Sequence, residues 1–269
     1  MPATFNQRVR TLGWRTEIEI ERDRSTLEER DGYIVMRTPS NPGYHMGNML
    51  IFDRPPQTGD EDRWAQLFEA NFAAYPQVRH AAFAWSVDGE LGSIEPFLDR
   101  GYAVQRRAVM RTGEVREFPV PQGLHVRALA TERDWEQQLA LGLATREEQY
   151  DALPYAAFKA AQVAYHRRIA EKFGVWMGAF EGEHLTGSCG VFSLRGGIAR
   201  YQDVSVLPGY RNRGIARCLI GAAGRYALER FGVKDVIIVA EEDDFPRKIY
   251  ERAGFTLQQR EAALWISHR

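Results

Sequence analysis
The residues with the clearest chemical potential lie in VSVLPGYRNRGIARCLIGAA, positions 204–223. A β-branched run, Val204, Ser205 and Val206, stops at Pro208 and Gly209. Arg211, Asn212 and Arg213 follow, then Gly214, Ile215 and Ala216, where helical spacing of apolar residues begins. A chain turning from strand straight into helix leaves its first N–H groups without intrahelical partners. Those groups and the positive end of the helix dipole form a ready anion site. Gly214 lets the backbone approach a ligand with no Cβ in the way, and Ala216 keeps the next inward position small. Arg211 and Arg213 add charge-assisted contacts worth about 1.5–3 kcal/mol each when well placed. The pattern suits a pyrophosphate. It is neither a Walker loop nor a dinucleotide fingerprint, because G-x-x-x-x-G-K-[ST] and G-x-G-x-x-G are both absent.

R-N-R-G-I-A resembles the [QR]-x-x-G-x-[GA] segment of the GNAT superfamily of acyl-CoA-dependent N-acyltransferases. The likeness extends through V-x-V-x-P-x-Y-R-x-R-G-I-A and on to Y-E-R-A-G-F at 250–255, where the family has Y-x-x-x-G-F. The family's preceding N-x-x-A-x-x-x-Y is represented by Asp243, Pro246 and Tyr250, with Asn and Ala replaced and the tyrosine kept. The resemblance covers about 124–267, and 1–115 only as a degenerate copy, so the chain looks like a tandem GNAT. It implies an α+β (α/β) fold of two tandem domains, each a mixed, mostly antiparallel sheet flanked by helices. It implies that Arg211, Asn212, Arg213, Gly214, Ile215 and Ala216 cradle the CoA pyrophosphate, with Asp243 as a further cofactor contact. The backbone of Val204, Ser205 and Val206 would pair with the pantetheine arm, and Tyr250 would protonate the leaving thiolate. Acetyl-CoA is then the co-substrate, and no metal is required.

Such a transfer also needs a proton acceptor, since an amine of pKa about 10.4 is mostly protonated at neutral pH. Asp203, in the strand that would line the cleft, is the candidate base, although alternation leaves the direction of its side chain open. Glu147 and Glu148 are further carboxylates that read equally well as a solvated charge run. Two other readings stand beside an N-acetyltransferase acting by direct attack in a ternary complex. One is a non-catalytic module that binds acyl-CoA or a partner. The other is a tandem GNAT-like transferase fed by aminoacyl-tRNA, against which the intact cradle and the absence of a basic stripe both count.

The elements that must position these residues follow from periodicity. Strands are expected at 124–130, 175–180, 185–192, 198–206 and 233–240, with a hairpin turn at Gly182. Helices are expected from Thr131, over about 154–172, from Gly214, and from Asp244 to Gly254, before a last strand FTLQQREAALWI. The first half repeats this order: YHMGNMLIFD, a helix bearing Trp64, Leu67, Phe68 and Phe72, VRHAAFAW, then PFLDRGYAVQRRAVMR. Where the second half has LPGYRNRGIA, the first has RPPQTGDEDRW, whose Asp60, Glu61 and Asp62 would repel a phosphate. Pro119, Pro121 and Gly123 mark a linker, which divides the chain into 1–118, the degenerate domain, and 119–269, the catalytic one.

Bulk composition narrows the class. The chain has 269 residues, 44% hydrophobic and 12% aromatic, enough for real cores, and a net charge of −1 that offers no global attraction to nucleic acid or anionic membrane. Two cysteines, Cys189 and Cys218, read as small buried hydrophobes in a reducing compartment. The opening MPATFNQRVRTLGW has no apolar h-region, and no apolar run nears the roughly 20 residues needed to span a bilayer. These features lead us to expect a cytoplasmic protein, monomer or dimer, whose partner is a small-molecule or peptide amine. His45 and His184 read as lone histidines, and the Pro/Gly-rich 37–48 as a surface loop.

Overall fold
The computed structural model describes residues 9–148, 150–242 and 246–267. They form a mixed, mostly antiparallel fold of strands flanked by seven helices, arranged as two compact units. The units are Met1–Val109 with Ala240–Asp243 and Gln258–Arg269, and Met110–Val239 with Asp244–Leu257. The division therefore falls inside a strand rather than at 118, and the chain's last strand returns to the first unit.

The first unit carries α1 (Leu12–Glu21), β1 (Thr26–Arg30), β2 (Tyr33–Arg37), β3 (Met49–Phe52), α2 (Asp60–Phe72), β4 (His80–Val87), α3 (Glu95–Asp99) and β5 (Ala103–Thr112) up to Val109. It also holds β11 (Thr256–Ser267) from Gln258 onward. β1–β2–β3 is antiparallel, β3 runs parallel to β4, and β11 pairs antiparallel with β4, Leu264 opposite Phe83. Alternation along β2 sends Tyr33 and Val35 to one core with Trp64, Phe83, Trp85 and Phe97, and Ile34 and Met36 to another with Trp14 and Ile18. Both sheet faces are covered, which is why β2 and β4 read as apolar runs.

α1, β1 and β2 had no counterpart in the sequence reading, and α1 is held by a buried ionic knot. Glu261 of β11 accepts from Thr11 Oγ1 at 2.8 Å and from the Trp14 N–H at 3.0 Å, and pairs with Arg107 at 3.2 Å. Arg107 lies 4.1 Å above the Trp14 ring. Gly13 leaves room for this carboxylate, since a Cβ there would stand 2.3 Å from Glu261 Oε2. The 37–48 stretch is not a simple surface loop. Asn48 is buried, accepts from the Thr38 N–H at 2.9 Å, and donates to the Asn41 and Tyr44 carbonyls at 3.0 Å. His45 is not alone either: it sits 4.3 Å from the His80 ring and 4.9 Å from Trp265, and burial pushes its pKa down to about 4.

The second unit contains β6 (Leu124–Ala128), α4 (Glu132–Ala144), α5 (Ala152–Phe173), β7 (Gly174–Glu181), β8 (His184–Leu194), β9 (Ile198–Val206), α6 (Ile215–Arg230), β10 (Asp235–Glu241) up to Val239 and α7 (Pro246–Arg252). β6–β7–β8–β9 is an antiparallel meander, and β9 runs parallel to β10. α4 starts where expected, on a capping box in which Thr131 and Asp134 satisfy each other's backbone. Gly182 turns the β7–β8 hairpin at φ 55°. The chain just ahead of the expected linker is packed, whereas Pro119 and Gly123 are exposed. It crosses α6 over two glycines, with Val115 against Gly224 and the Arg116 carbonyl only 3.0 Å from where a Cβ of Gly221 would lie. Its Arg116 N–H also donates to the Ala253 carbonyl at 3.1 Å, behind α7.

The duplicated order is present in full. β3–α2–β4–α3–β5 is repeated as β9–α6–β10–α7–β11, each copy opening with a parallel strand pair around a helix. No helix of the described residues is long and apolar enough to cross a membrane.

Candidate functional site
β9 supplies the first half of the site through an irregularity in its pairing. Ser205 lies opposite Ser188 and Gln202 opposite Gly190, so Asp203 and Val204 together face the single residue Cys189. This is a β-bulge, and its first residue, Asp203, sits at φ 48°, in the left-handed region that only Gly, Asn and Asp visit readily. On its other side, β9 keeps register with β10 only over Ile198–Arg200, opposite Asp235–Ile237. From Tyr201 to Val206 the two parallel strands have no common register. A strand edge left open in this way can receive an extended ligand through its own N–H and C=O groups. Val204, Ser205 and Val206 lie on that stretch and are half-buried.

The second half of the site is the turn into α6. A short 3-10 turn, Pro208–Tyr210, leads through Asn212 at φ 62° to Gly214 at φ 83°, the residue on which the helix starts. No side chain caps this end and no acidic residue lies in its first turn. Its dipole and leading N–H groups therefore go unanswered by the helix itself. Arg211, Asn212 and Arg213 are exposed, Gly214 and Ala216 are half-buried, and Ile215 is buried as the helix's anchor. Arg213 lies over the Tyr210 ring at 4.9 Å, and the Tyr210 hydroxyl donates to Glu181 at 2.8 Å. These contacts hold one guanidinium beside the helix start without neutralising it. Arg211 donates to the Val206 carbonyl at 3.4 Å, which joins the cradle to the end of β9.

Tyr250 is buried at 7% exposure on α7, its ring 6.4 Å from Phe255. Gly254, at φ 100°, closes α7. Asp243 lies outside the described residues. The two cysteines are buried as expected, and burial raises both thiol pKa values, most strongly at Cys189. His184 stacks obliquely on Tyr210 at 5.9 Å, so it too has a neighbour.

Asp203 faces α5, where Lys159 Nζ meets its Oδ2 at 3.0 Å. Burial alone would raise the Asp203 pKa, but the charge of Lys159, the nearby His166 and the Lys159 hydrogen bond together outweigh it and the net shift is downward. Burial likewise works against the ammonium of Lys159, and Asp203 more than restores it. Both partners are therefore held ionised. Glu147 and Glu148 are exposed.

Sequence reasoning missed the side chains that surround this pair. Lys159, Gln162 and His166 occupy one face of α5 and are all buried, His166 stacking on Trp176 at 5.0 Å. Gln162 Nε2 and His166 Nε2 are 3.1 Å apart. Tyr155 stands one turn earlier, within electrostatic reach of both Lys159 and Asp203, and donates to the Gly142 carbonyl at 3.3 Å. A signal was available: polar residues at i, i+3 and i+7 share the buried face with Val163 and Ile169. Among the described residues no group of three or more His, Cys, Asp or Glu could hold a metal ion.

Comparison with known proteins agrees with this geometry. Residues 133–255 match the model of the acetyltransferase (GNAT) family, and all of them but 240–243 lie in the second unit. A sequence search among curated proteins finds no match. Among solved structures, the chain is similar to a conserved protein of unknown function from Staphylococcus epidermidis, at 14% identity and TM-score 0.68, covering 90% of this chain and 93% of that one. It is also similar to a GCN5-related N-acetyltransferase from Kribbella flavida, at 14% identity and TM-score 0.65, covering 94% and 95%. A tandem GNAT protein from the clavulanic acid biosynthesis pathway aligns at 15% identity and TM-score 0.51, over 91% and 83%. At such identities the likeness is one of fold.

Proposed function
We propose that the protein is an acyl-CoA-dependent N-acetyltransferase whose second unit binds acetyl-CoA and whose acceptor is a small-molecule or peptide amine. One observation carries this reading. An open strand edge at Val204–Val206 runs directly into a helix start at Gly214 that has exposed arginines and no acid of its own. Pantetheine has amides that match a strand edge, and a pyrophosphate matches the helix start. The GNAT match over 133–255 supports acyl transfer from CoA in general.

In this reading the Arg211–Ala216 turn fixes the pyrophosphate, with Arg211 and Arg213 as the charged arms. The backbone of Val204–Val206 aligns the thioester and offers an N–H to the carbonyl oxygen as charge develops there. The amine, having lost its ammonium proton to solvent, attacks the thioester carbonyl within a ternary complex, and the C–N bond forms as the C–S bond breaks. Tyr250 gives its hydroxyl proton to the departing sulfur. The proton then shed by the nitrogen passes to water, from which the Tyr250 hydroxyl is restored after each transfer. Asp203 is ionised, yet its pairing with Lys159 makes it a weak base, so its main contribution is to the shape of β9.

Calorimetric titration with acetyl-CoA tests the reading. The wild-type protein binds, and an Arg211→Ala, Arg213→Ala variant loses about a hundredfold or more in affinity, the effect of removing two charge-assisted contacts of about 1.5 kcal/mol or more each. A wild-type protein that does not bind acetyl-CoA removes the proposal. Tyr250→Phe should then keep the affinity and lose turnover, which separates an enzyme from a non-catalytic acyl-CoA-binding module.

A further inference from the structure
We infer that Lys159 and Asp203 are a positioning pair that holds the bulge of β9, and with it the open strand edge on which acyl-CoA is to be seated. The inference rests on the proposed function and assigns a role to a residue of α5 that lies outside the strand and the cradle.

The bulge is costly to make. Asp203 takes a positive φ of 48°, which most side chains avoid, and Cys189 faces two residues instead of one. Something must hold the strand there. Asp203 is tied from the side by Lys159 Nζ at 3.0 Å, and Lys159 is itself only 9% exposed. A lysine this deeply placed needs a path for its stem, and Gly142 of α4 provides it. A Cβ at Gly142 would stand 2.9 Å from Lys159 Cε and 3.0 Å from its Cγ. Phe158 lies 5.8 Å below the ammonium and adds a weaker attraction. Gly142, Lys159 and Asp203 thus form a connected brace from α4 through α5 to β9.

The position of the brace explains its use. Common register of β9 with β10 ends at Arg200, three residues before the bulge, and the open stretch continues to Val206. Inserting a residue at 203–204 bends the strand and resets its alternation, so the direction of the Val204–Val206 amides depends on Asp203 keeping its conformation. Residue type then predicts the outcome. Asn and Gly accept positive φ, whereas a β-branched residue does not.

The test is acetyl-CoA affinity by calorimetry for wild type, Asp203→Asn, Asp203→Val, Lys159→Met and the double variant Lys159→Met, Asp203→Asn, with thermal melting as a check on folding. We expect Asp203→Asn, which accepts the positive φ but leaves the buried Lys159 ammonium without its anion, to lose about tenfold, and Asp203→Val, which strains the backbone as well, to lose more. Lys159→Met, which leaves a half-buried carboxylate without its cation, should also lose about tenfold, and the double variant should lose about tenfold rather than the roughly hundredfold that two independent effects would give. Equal affinity in all folded variants overturns the inference while leaving the proposed function intact. Should Asp203→Val fail to fold, the cycle of the two single variants and the double variant decides alone, and a loss of about a hundredfold in the double variant overturns the inference. No binding by the wild type ends the proposed function and this inference with it.

Discussion
Helices α2 and α6 each begin one residue after a glycine in the left-handed region, Gly59 at φ 88° and Gly214 at φ 83°. Each follows a strand that runs parallel to the next one in the chain. The two junctions differ in what answers the helix dipole. At α2 it is the chain itself: Asp60, Glu61 and Asp62 fill the first turn, and Asp60 accepts the Gln57 N–H at 2.8 Å and pairs with Arg54. At α6 the first turn has no acid, and Arg211 and Arg213 stand outside it. The strands differ in the same sense. β3 keeps register with β4 to its last residue, Phe52, which stacks on Trp64 at 3.7 Å, whereas β9 leaves β10 after Arg200. One backbone plan supports a junction complete in itself and a junction that awaits an anion. The choice lies in side chains and in one bulge.

The largest expected break in this comparison comes from the two glycines. Gly214→Val forces a β-branched residue into positive φ and puts its Cβ 2.9 Å from Arg217 Nε, inside the cradle. We expect acetyl-CoA affinity to fall at least tenfold, together with roughly 1–2 kcal/mol of stability. Gly59→Val meets nothing within 4 Å and should cost a similar 1–2 kcal/mol of backbone strain with acetyl-CoA affinity unchanged. Calorimetry and thermal melting on the pair separate ligand binding from strain. Equal loss of affinity in both would assign the effect to folding and erase the distinction between the junctions.

The cradle was legible in sequence because it is local: strand, turn, αL glycine and helix start are set within about a dozen residues, and periodicity marks each. The duplication was legible for the same reason. What escaped was long-range. The bulge at Asp203 exists only in the register of β9 against β8, and its brace comes from Lys159, 44 positions away. Proximity in sequence would pair β4 with β5, yet β11 stands beside β4, which is why a cut at 118 does not describe the compact units. Glu261 reads as an ordinary charge in QQREAALWI until Thr11 and Trp14 arrive from the other end of the chain. Single-chain periodicity carries no information on which distant strand completes a sheet.

A smaller effect separates the junctions by pH. Burial alone would raise the Asp60 pKa, but the hydrogen bond from Arg54, the Gln57 N–H and the nearby positive charge lower it on balance. A lowered folded-state pKa means that this stabilisation is complete above the unfolded value of about 3.9 and fades as pH falls through the folded one. Asp60→Ala should therefore cost about 1–2 kcal/mol at pH 7, and melting curves of wild type and variant should converge as pH drops below about 4. Acetyl-CoA affinity should not change at pH 7. A gap that persists to pH 2 would show that Asp60 acts by packing and that the α2 start is not filled electrostatically.

The smallest expected effect is none at all, and it is the sharpest test of what the second junction has that the first lacks. Asp60→Asn, Glu61→Gln and Asp62→Arg together remove the acids from the first turn of α2 and add a guanidinium. If a bare helix start with a positive arm were sufficient, this variant should gain a second acetyl-CoA site, and calorimetric stoichiometry would rise from one to two. The strand argues against it. β3 is paired with β4 through Phe52, so no backbone edge is left for a pantetheine arm, and the Phe52–Trp64 stack fills the space behind it. A helix start offers a few N–H groups to one end of a long ligand, and the remaining contacts must come from the open strand. We expect stoichiometry to stay at one. A second site would mean that the splay and bulge of β9 are dispensable, and the brace formed by Lys159 and Asp203 would lose its purpose.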